Sequence, residues 1–189
     1  MMPHVFRNKS LSRHVKKLLY MAIPVNLLLW GCETWALKES DRRLLQVFHT
    51  TSIRRILNIN MLEVQMCKIS NEFLYEEFRI DPIANIMASM QVRWLGNIAR
   101  MGENRLPRKF IAAWHTNPRP TGRPQQTLRH TYLHALRMLG AIPQDDKEGK
   151  LETWFPQAID DPKDWERRRR ALTPNLIGRK DKEIVPECM

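Results

Sequence analysis

Apolar residues recur at three- and four-residue steps along most of this chain, and no window alternates apolar and polar residues as a half-buried strand does. The clearest stretch begins at Asp81 and Pro82, an N-cap followed by proline, and Gly102 ends it. The pattern predicts a long amphipathic helix with Arg93 and Arg100 off its apolar stripe. The stripe consists of Ile83, Ile86, Met87, Met90, Trp94, Ile98 and Met101.

The same periodicity predicts helices on both sides of this one. The first covers about 11–29, and Pro24 should kink or break it. The second begins after Ser40 as N-cap and runs to about Leu57. Its apolar stripe is Leu45, Phe48, Ser52 and Ile56. Shorter or weaker helices are predicted over about 71–78, 107–114, 127–139, 147–158 and 162–172.

These elements predict a mainly α fold, an irregular helical bundle with a basic proline- and glycine-containing loop over 115–126. Charge balance and polarity change between Gly140 and Gly149. We therefore expect one helical region over 10–140 and a loosely attached helical tail over 141–172. Residues 173–189 are expected to be disordered.

The charge of the chain is large and unevenly spread. The formal net charge is +11 and the pI is about 10.0, which favours a polyanionic partner. Residues 1–60 contain ten Lys and Arg against three Asp and Glu, and 91–140 contain nine against one. Residues 141–189 are nearly balanced, with ten against eleven. A basic body with a balanced tail indicates a surface that faces nucleic acid.

Other classes of protein fit the sequence less well. Three dispersed cysteines do not make a disulfide scaffold, and the odd number favours a reducing compartment, nuclear or cytoplasmic. The N-terminus lacks the layout of a signal peptide. The most apolar run, 18–32, is interrupted by Pro24 and Asn26 and is too short to span a bilayer. We therefore expect no membrane contact.

No catalytic constellation emerges from the sequence. The pairs Asp145-Asp146 and Asp160-Asp161 lack the aromatic residue of a polymerase metal site, and helix capping accounts for them better. His130 and His134 lie four apart, yet no knuckle-like spacing supplies further zinc ligands. Cys32 is best read as a small core residue. The sequence predicts no catalytic residue, no metal, no cofactor and no small-molecule substrate.

Clustered cations are the feature that carries chemistry, because phosphate binding needs positive charge but no exact spacing. The candidate contacts are Arg42, Arg43, Arg54, Arg55, Arg93, Arg100, Arg108, Lys109, Arg119 and Arg123. The alternative is that these are merely solvated helix surfaces. A run of four arginines, 167–170, follows a group of carboxylates and predicts either a localisation signal or, slightly favoured, an ion-paired helix.

Four short blocks stand in order along the chain. They are Leu-Leu-Trp-Gly-Cys-Glu-Thr-Trp at 28–35, Arg-Arg-Ile-Leu at 54–57, Arg-Trp-Leu-Gly at 93–96 and Gly-Arg-Pro at 122–124, with a vaguer Asp-Trp at 164–165. The set resembles the region that follows the polymerase palm in reverse transcriptases of LINE-type, non-LTR retrotransposons. The chain departs from the family pattern at Trp30, Asn97, Gln125 and Leu128, where the family has tyrosine, histidine, arginine and tryptophan.

The resemblance implies a function for about 10–140. In such enzymes this region is a helical thumb, with the segment after it, that grips the template-primer duplex of RNA or DNA. The resemblance also implies that the catalytic palm lies upstream of residue 1. We therefore expect a chain that is non-catalytic alone, binds RNA or DNA, and exposes an apolar face of its first helix.

Two alternatives to this function stay open on the sequence. The first is a domesticated module that binds protein through exposed methionines, Met87, Met90 and Met101. The second is a decayed reading frame without a functional product.

Overall fold

The computed structural model describes residues 3–116, 128–147 and 149–175, and within these ranges every regular element is helical. The predicted α class is confirmed. A π-helical segment, Met21–Val25, follows the second helix, and a 3-10 turn, Cys32–Thr34, precedes the fourth. The α-helices are α1 (Pro3–Phe6), α2 (Arg13–Tyr20), α3 (Asn26–Leu28), α4 (Glu39–Leu57), α5 (Met61–Met66), α6 (Asn71–Phe78), α7 (Ile83–Ala99), α8 (Leu106–Thr116), α9 (Leu128–Leu139), α10 (Leu151–Asp160) and α11 (Pro162–Ala171). Among the described helices, none combines the length and the apolar character needed to cross a bilayer.

The first predicted helix forms one helical run over 13–28 that proline does not break. Pro24 lies inside the π segment, whose wider turn accommodates a residue without an N–H donor. Ser12 caps the run, since its hydroxyl accepts a hydrogen bond from the N–H of Val15 at 3.3 Å. The helix therefore begins two residues after the predicted start, at Arg13.

Helix α4 differs from its prediction at its first turn. Lys38, and not Ser40, is the N-cap residue. The Lys38 N–H donates to the Asp41 carboxylate at 3.1 Å, so the acidic residue of the first turn supplies the capping contact. The predicted N-cap Ser40 lies inside the helix.

The buried stripe of α4 is also partly corrected. The predicted stripe positions Ser52 and Ile56 are buried, and Leu45 is half-buried. Phe48 is exposed, because the stripe passes through the neighbouring His49. The imidazole of His49 has a hydrogen-bond partner on each ring nitrogen, which is what allows a polar residue to occupy the core.

Helix α7 is the central helix of the fold. It begins at Ile83 with Pro82 in the N-cap position, one residue later than predicted. Its predicted apolar stripe is buried or half-buried, which confirms that prediction. The opposite side is buried as well, because α7 packs against α9, α10, α11 and α4. The further buried positions are Ala88, Ser89, Gln91, Val92, Leu95, Gly96 and Ala99.

Two apolar cores meet along α7. Ile83, Ile86 and Met87 of α7, with Met90 packed against them, belong to a core that contains residues of α1, α2, α4 and α6. Buried residues of α7 from Ala88 to Ala99 belong to a second core with α8, α9, α10 and α11. The predicted division near Gly140 is therefore not a boundary between cores, since helices on both sides of it share the second core.

The C-terminal helices pack tightly, which corrects the prediction of a loosely attached tail. Trp154 and Trp165 are almost fully buried in the second core. Thr173 is buried too, and the backbone and side-chain N–H groups of Asn175 donate to the carboxylate of Asp81 at 3.1–3.4 Å. The packed body thus extends to Asn175, and the rest of the predicted disordered terminus lies outside the described residues.

The block at 93–96 has a packing role. The Trp165 indole lies against the backbone of α7 and donates its Nε1–H to the carbonyl of Val92 at 3.1 Å. A Cβ atom on Gly96 would lie 2.5 Å from that indole nitrogen, so the close approach requires glycine. The block and the Asp-Trp at 164–165 are therefore in direct contact.

The block at 28–35 also has a structural role. Gly31 adopts a left-handed conformation, φ +72°, which turns the chain out of the first helical run. The carbonyl of Cys32 accepts from the Gln91 side chain at 3.1 Å, and that of Glu33 accepts from the Tyr132 hydroxyl at 3.1 Å. The turn therefore joins α7 to α9. Burial raises the pKa of the Cys32 thiol to about 12, as expected of a core residue.

Candidate nucleic-acid interface

The structure describes eight of the ten cations that the sequence singled out. Arg119 and Arg123, with most of the basic loop, lie outside the described residues. The eight fall on three helices, α4, α7 and α8, or directly after one of them. They differ in exposure and in the contacts that their side chains already make.

The two cations near the start of α4 are unequal. Arg42 is half-buried, and desolvation lowers the pKa of its guanidinium, an effect that the charge of Glu39 opposes. Arg43 is exposed and forms an ion pair with Glu39, with 3.6 Å between Nε and Oε1. An exposed pair of this kind is worth little, so Arg43 can exchange its partner for a phosphate.

The two cations near the end of α4 are unequal in the same way. The Arg54 guanidinium donates to the Thr51 hydroxyl at 3.2 Å and to the Met61 sulfur at 3.3 Å, so it joins α4 to α5. Arg55 is exposed, and its side chain has no hydrogen-bond or ion-pair partner among the described residues. Arg55 is therefore the more available cation.

On α7 the side chain of Arg93 is available to bind a phosphate, whereas Arg100, directly after the helix, already donates hydrogen bonds within the protein. Arg93 lies on the exposed edge of the helix, again without a partner among the described side chains. Arg100 donates to the carbonyl of Ala158 at 3.0 Å and to the Asn97 side chain at 2.9 Å. Arg100 therefore ties the end of α7 to the end of α10.

On α8, Arg108 is a structural residue and Lys109 is an exposed cation. The Arg108 side chain, 22% exposed, donates to the carbonyl of Met101 at 2.6 Å and lies 3.5 Å from a Glu103 oxygen. Its guanidinium also sits 5.7 Å from the centre of the Phe155 ring. Lys109 is exposed, and no described residue pairs with its ammonium.

The start of α4 lies near α9. Burial lowers the pKa of His134, and the charges of Arg42 and Arg137 lower it further. The charge of Glu39 opposes this shift, so cations and a carboxylate both act on His134 here. His134 and His130 find no third ligand, since no three His, Cys, Asp or Glu side chains in the described part of the chain could hold a metal ion together.

The arginines at 167–170 form the ion-paired helix that the sequence favoured. Asp164 pairs with Arg167 and Arg168, and Glu166 pairs with Arg169 and Arg170. The hydrogen bond from Arg169 is the main cause that holds the pKa of Glu166 down to about 2. Each of the two carboxylates is thus shared by two arginines. Over 141–189 as a whole ten cations stand against eleven anions, so the positive surplus lies in the body of the chain.

Sequence reasoning missed the apolar neighbours of the exposed cations. Leu106 and Phe110 are exposed beside Lys109 on α8, and Phe48 is exposed on α4. The sequence pattern of α8 could have revealed them. The cations at positions 105 and 109 are one helical turn apart, and so are the apolar residues at 106 and 110. Phe48 was missed because it was assigned to the buried stripe.

Comparison with protein-family models, with curated proteins and with solved structures finds no match to this chain.

Proposed function

We propose that this chain is a non-catalytic helical module that binds RNA or DNA through phosphate contacts, without strong sequence preference. The observation that carries the proposal is the set of exposed cations whose side chains have no partner among the described residues. The set contains Arg55, Arg93, Arg105 and Lys109. Because the ten cations of 141–189 are matched by eleven anions, the net charge of +11 lies in the body, where it favours a polyanion.

We further propose that the module is the thumb-like part of a LINE-type reverse transcriptase. The ordered blocks of sequence support this proposal, and so does the close packing of the block at 93–96 against Trp165. The first helical run supports it too, because it exposes apolar side chains opposite its buried ones. The exposed set is Leu18, Ile23 and Leu27 of the run and Trp30 just after it, and we propose that a polymerase palm covers it.

The proposal is tested by fluorescence anisotropy with labelled RNA and DNA at several salt concentrations. We expect binding at about 50 mM salt that weakens steeply as salt rises, because each neutralised phosphate releases counterions. The triple variant Arg55→Ala, Arg93→Ala, Lys109→Ala should lower the slope of log affinity against log salt by up to about 2 on single strands. Lys163→Ala, in the charge-balanced tail, is the control. No binding at about 50 mM salt would contradict the proposal.

The alternative of a protein-binding module stays a prediction, but the exposure that it expects of Met87, Met90 and Met101 is not found. Met87 is only 3% exposed, and Met90 and Met101 are half-buried against the two cores. The predicted methionines therefore do not present a surface to a protein partner. A decayed reading frame without a product stays a prediction.

A further inference from the structure

Helix α8 has two sides of opposite character. Its inner side holds Ile111 in the second core and Arg108 against Met101 and Phe155. Its outer side, here called the α8 face, consists of Leu106, Lys109 and Phe110 together with Arg105, which directly precedes the helix, and all four are exposed. The N–H of Lys109 donates to the carbonyl of Arg105 at 3.1 Å, which fixes the two cations one helical turn apart.

The charges of the α8 face are uncompensated. Neither the Arg105 nor the Lys109 side chain has a hydrogen-bond or ion-pair partner among the described residues. The single carboxylate within 101–111, Glu103, lies 3.5 Å from the guanidinium of Arg108, on the other side of the helix. An anion that approaches the α8 face therefore meets two free cations.

The apolar half of the face is equally open. Leu106 is 68% exposed and Phe110 is 59% exposed. Phe73 on α6 is comparably exposed, at 48%, but its sequence neighbours Glu72, Glu76 and Glu77 are acidic. The exposed ring on α8 therefore has unpaired cations as neighbours, whereas the exposed ring on α6 has carboxylates. Phe48 on α4 is a weaker candidate, because Arg55, the cation on its side of the helix that is unpaired among the described residues, lies two turns away, whereas Lys109 directly precedes Phe110.

The aromatic ring of the α8 face adds little to the binding of a double helix. Its bases are stacked inside and its outer rim offers phosphates, so cations contribute to binding and an aromatic ring contributes little. In a single strand the bases are free, and stacking of one base on an aromatic side chain is worth about 1–3 kcal/mol. The combination of ring and cations thus favours unpaired nucleotides.

We propose that the α8 face binds single-stranded RNA or DNA, with a base stacked on Phe110 and the flanking phosphates held by Arg105 and Lys109. This inference rests on the proposed nucleic-acid binding and narrows it to a site and a strand state. Leu106 extends the apolar platform beside the ring.

The test compares a labelled single strand of about 12 nucleotides with a duplex of the same length, using the full chain. Phe110→Ala should weaken single-strand binding at least about fivefold and leave duplex binding unchanged. Phe110→Tyr should retain single-strand binding, because tyrosine keeps the ring. Lys109→Ala should weaken binding of both forms. Phe73→Ala is the matched control for an exposed phenylalanine and should change neither affinity.

The outcomes separate the inference from the proposed function. Absence of binding to both forms would overturn both. Binding of both forms with no effect of Phe110→Ala would overturn the inference and leave the proposed function intact. A labelled polyglutamate peptide that binds with the same dependence on Phe110, while the single strand does not, would assign the face to an acidic protein instead. Circular dichroism of Phe110→Ala should match that of the wild type, because the side chain is exposed.

Discussion

A buried histidine lies among the aromatic residues of the first core. His49 is fully buried, with its Nδ1 3.0 Å from the Tyr20 hydroxyl and its Nε2 3.1 Å from the carbonyl of Asp81. The neutral ring satisfies both contacts when Nε2–H donates to the carbonyl and Nδ1 accepts from the hydroxyl. The Tyr20 and Tyr75 rings stack on either side of it. Burial lowers the pKa of His49 to about 4.

The first prediction concerns pH. Because the pKa of His49 is lower in the folded state than the ordinary 6.5, the unfolded chain binds an extra proton between pH 6.5 and about 4. The contribution of neutral His49 to the free energy of unfolding is full above pH 6.5, and it is lost as the pH falls from 6.5 to about 4. At about 1.4 kcal/mol per pKa unit, the loss amounts to about 3 kcal/mol. Urea unfolding at a series of pH values measures it.

The matching variants are His49→Gln and His14→Gln. His49→Gln should lower stability at neutral pH and flatten the dependence on pH over this range. His14 is exposed, so His14→Gln should leave the dependence as it is. A wild-type stability that is constant from pH 7 to about pH 4.5 would show that His49 is not held neutral by the fold.

The second prediction concerns Gly96. Alanine is the better helix former by about 1 kcal/mol, which favours Gly96→Ala in isolation. Its Cβ would lie 2.5 Å from the nitrogen of an indole that is 2% exposed and hydrogen-bonded to Val92. The indole has no room to move, so we expect a net loss of about 1–3 kcal/mol in the free energy of unfolding.

Gly102→Ala is the control for Gly96→Ala. A Cβ on Gly102 meets no atom within 4 Å, so this change should be near neutral. Thermal and urea unfolding compare the two variants. Equal stability of both would mean that Trp165 does not pack against α7 in solution.

At the scale of elements, the sequence predicted where helices occur better than it predicted which helices pack against each other. Local signals suffice for α6, whose bounds agree with the prediction, and for α11, which ends one residue earlier than predicted. Capping and periodicity are read within a few residues. The place of α11 in the core could not be read locally. Trp165 lies among charged residues, and its partner Gly96 is far away in the sequence. The same limit applies to the cations, since only tertiary contacts distinguish Arg108 from Lys109.

The third prediction tests whether α11 belongs to the core. Trp165→Ala should lower the free energy of unfolding by about 3–5 kcal/mol, because it removes a buried indole and its hydrogen bond. Arg167→Ala, on the exposed side of the same helix, should cost at most about 1 kcal/mol. Chemical unfolding followed by circular dichroism measures both. A Trp165→Ala variant as stable as the wild type would instead support the prediction of a loosely attached tail.

At the scale of the whole molecule, the charge follows the division between body and tail, but the packing does not. The tail carries ten cations against eleven anions, and four of those cations share two carboxylates on α11, whereas the body holds the positive surplus. The tail nevertheless supplies two tryptophans to the second core. A truncation at residue 140 would therefore remove part of the core, and it is not a route to an isolated binding module.

The passage of α7 through both cores has a consequence for cooperativity. If either half of the chain unfolded alone, it would expose to solvent the apolar side chains of α7 that packed against it. The helix α7 would at the same time remain part of the folded core of the other half. We expect one calorimetric transition, with equal van't Hoff and calorimetric enthalpies, although the chain contains two cores. The amide protons in the middle of α7 should then exchange with solvent only through global unfolding, and damage to either core will lower the melting temperature of the whole.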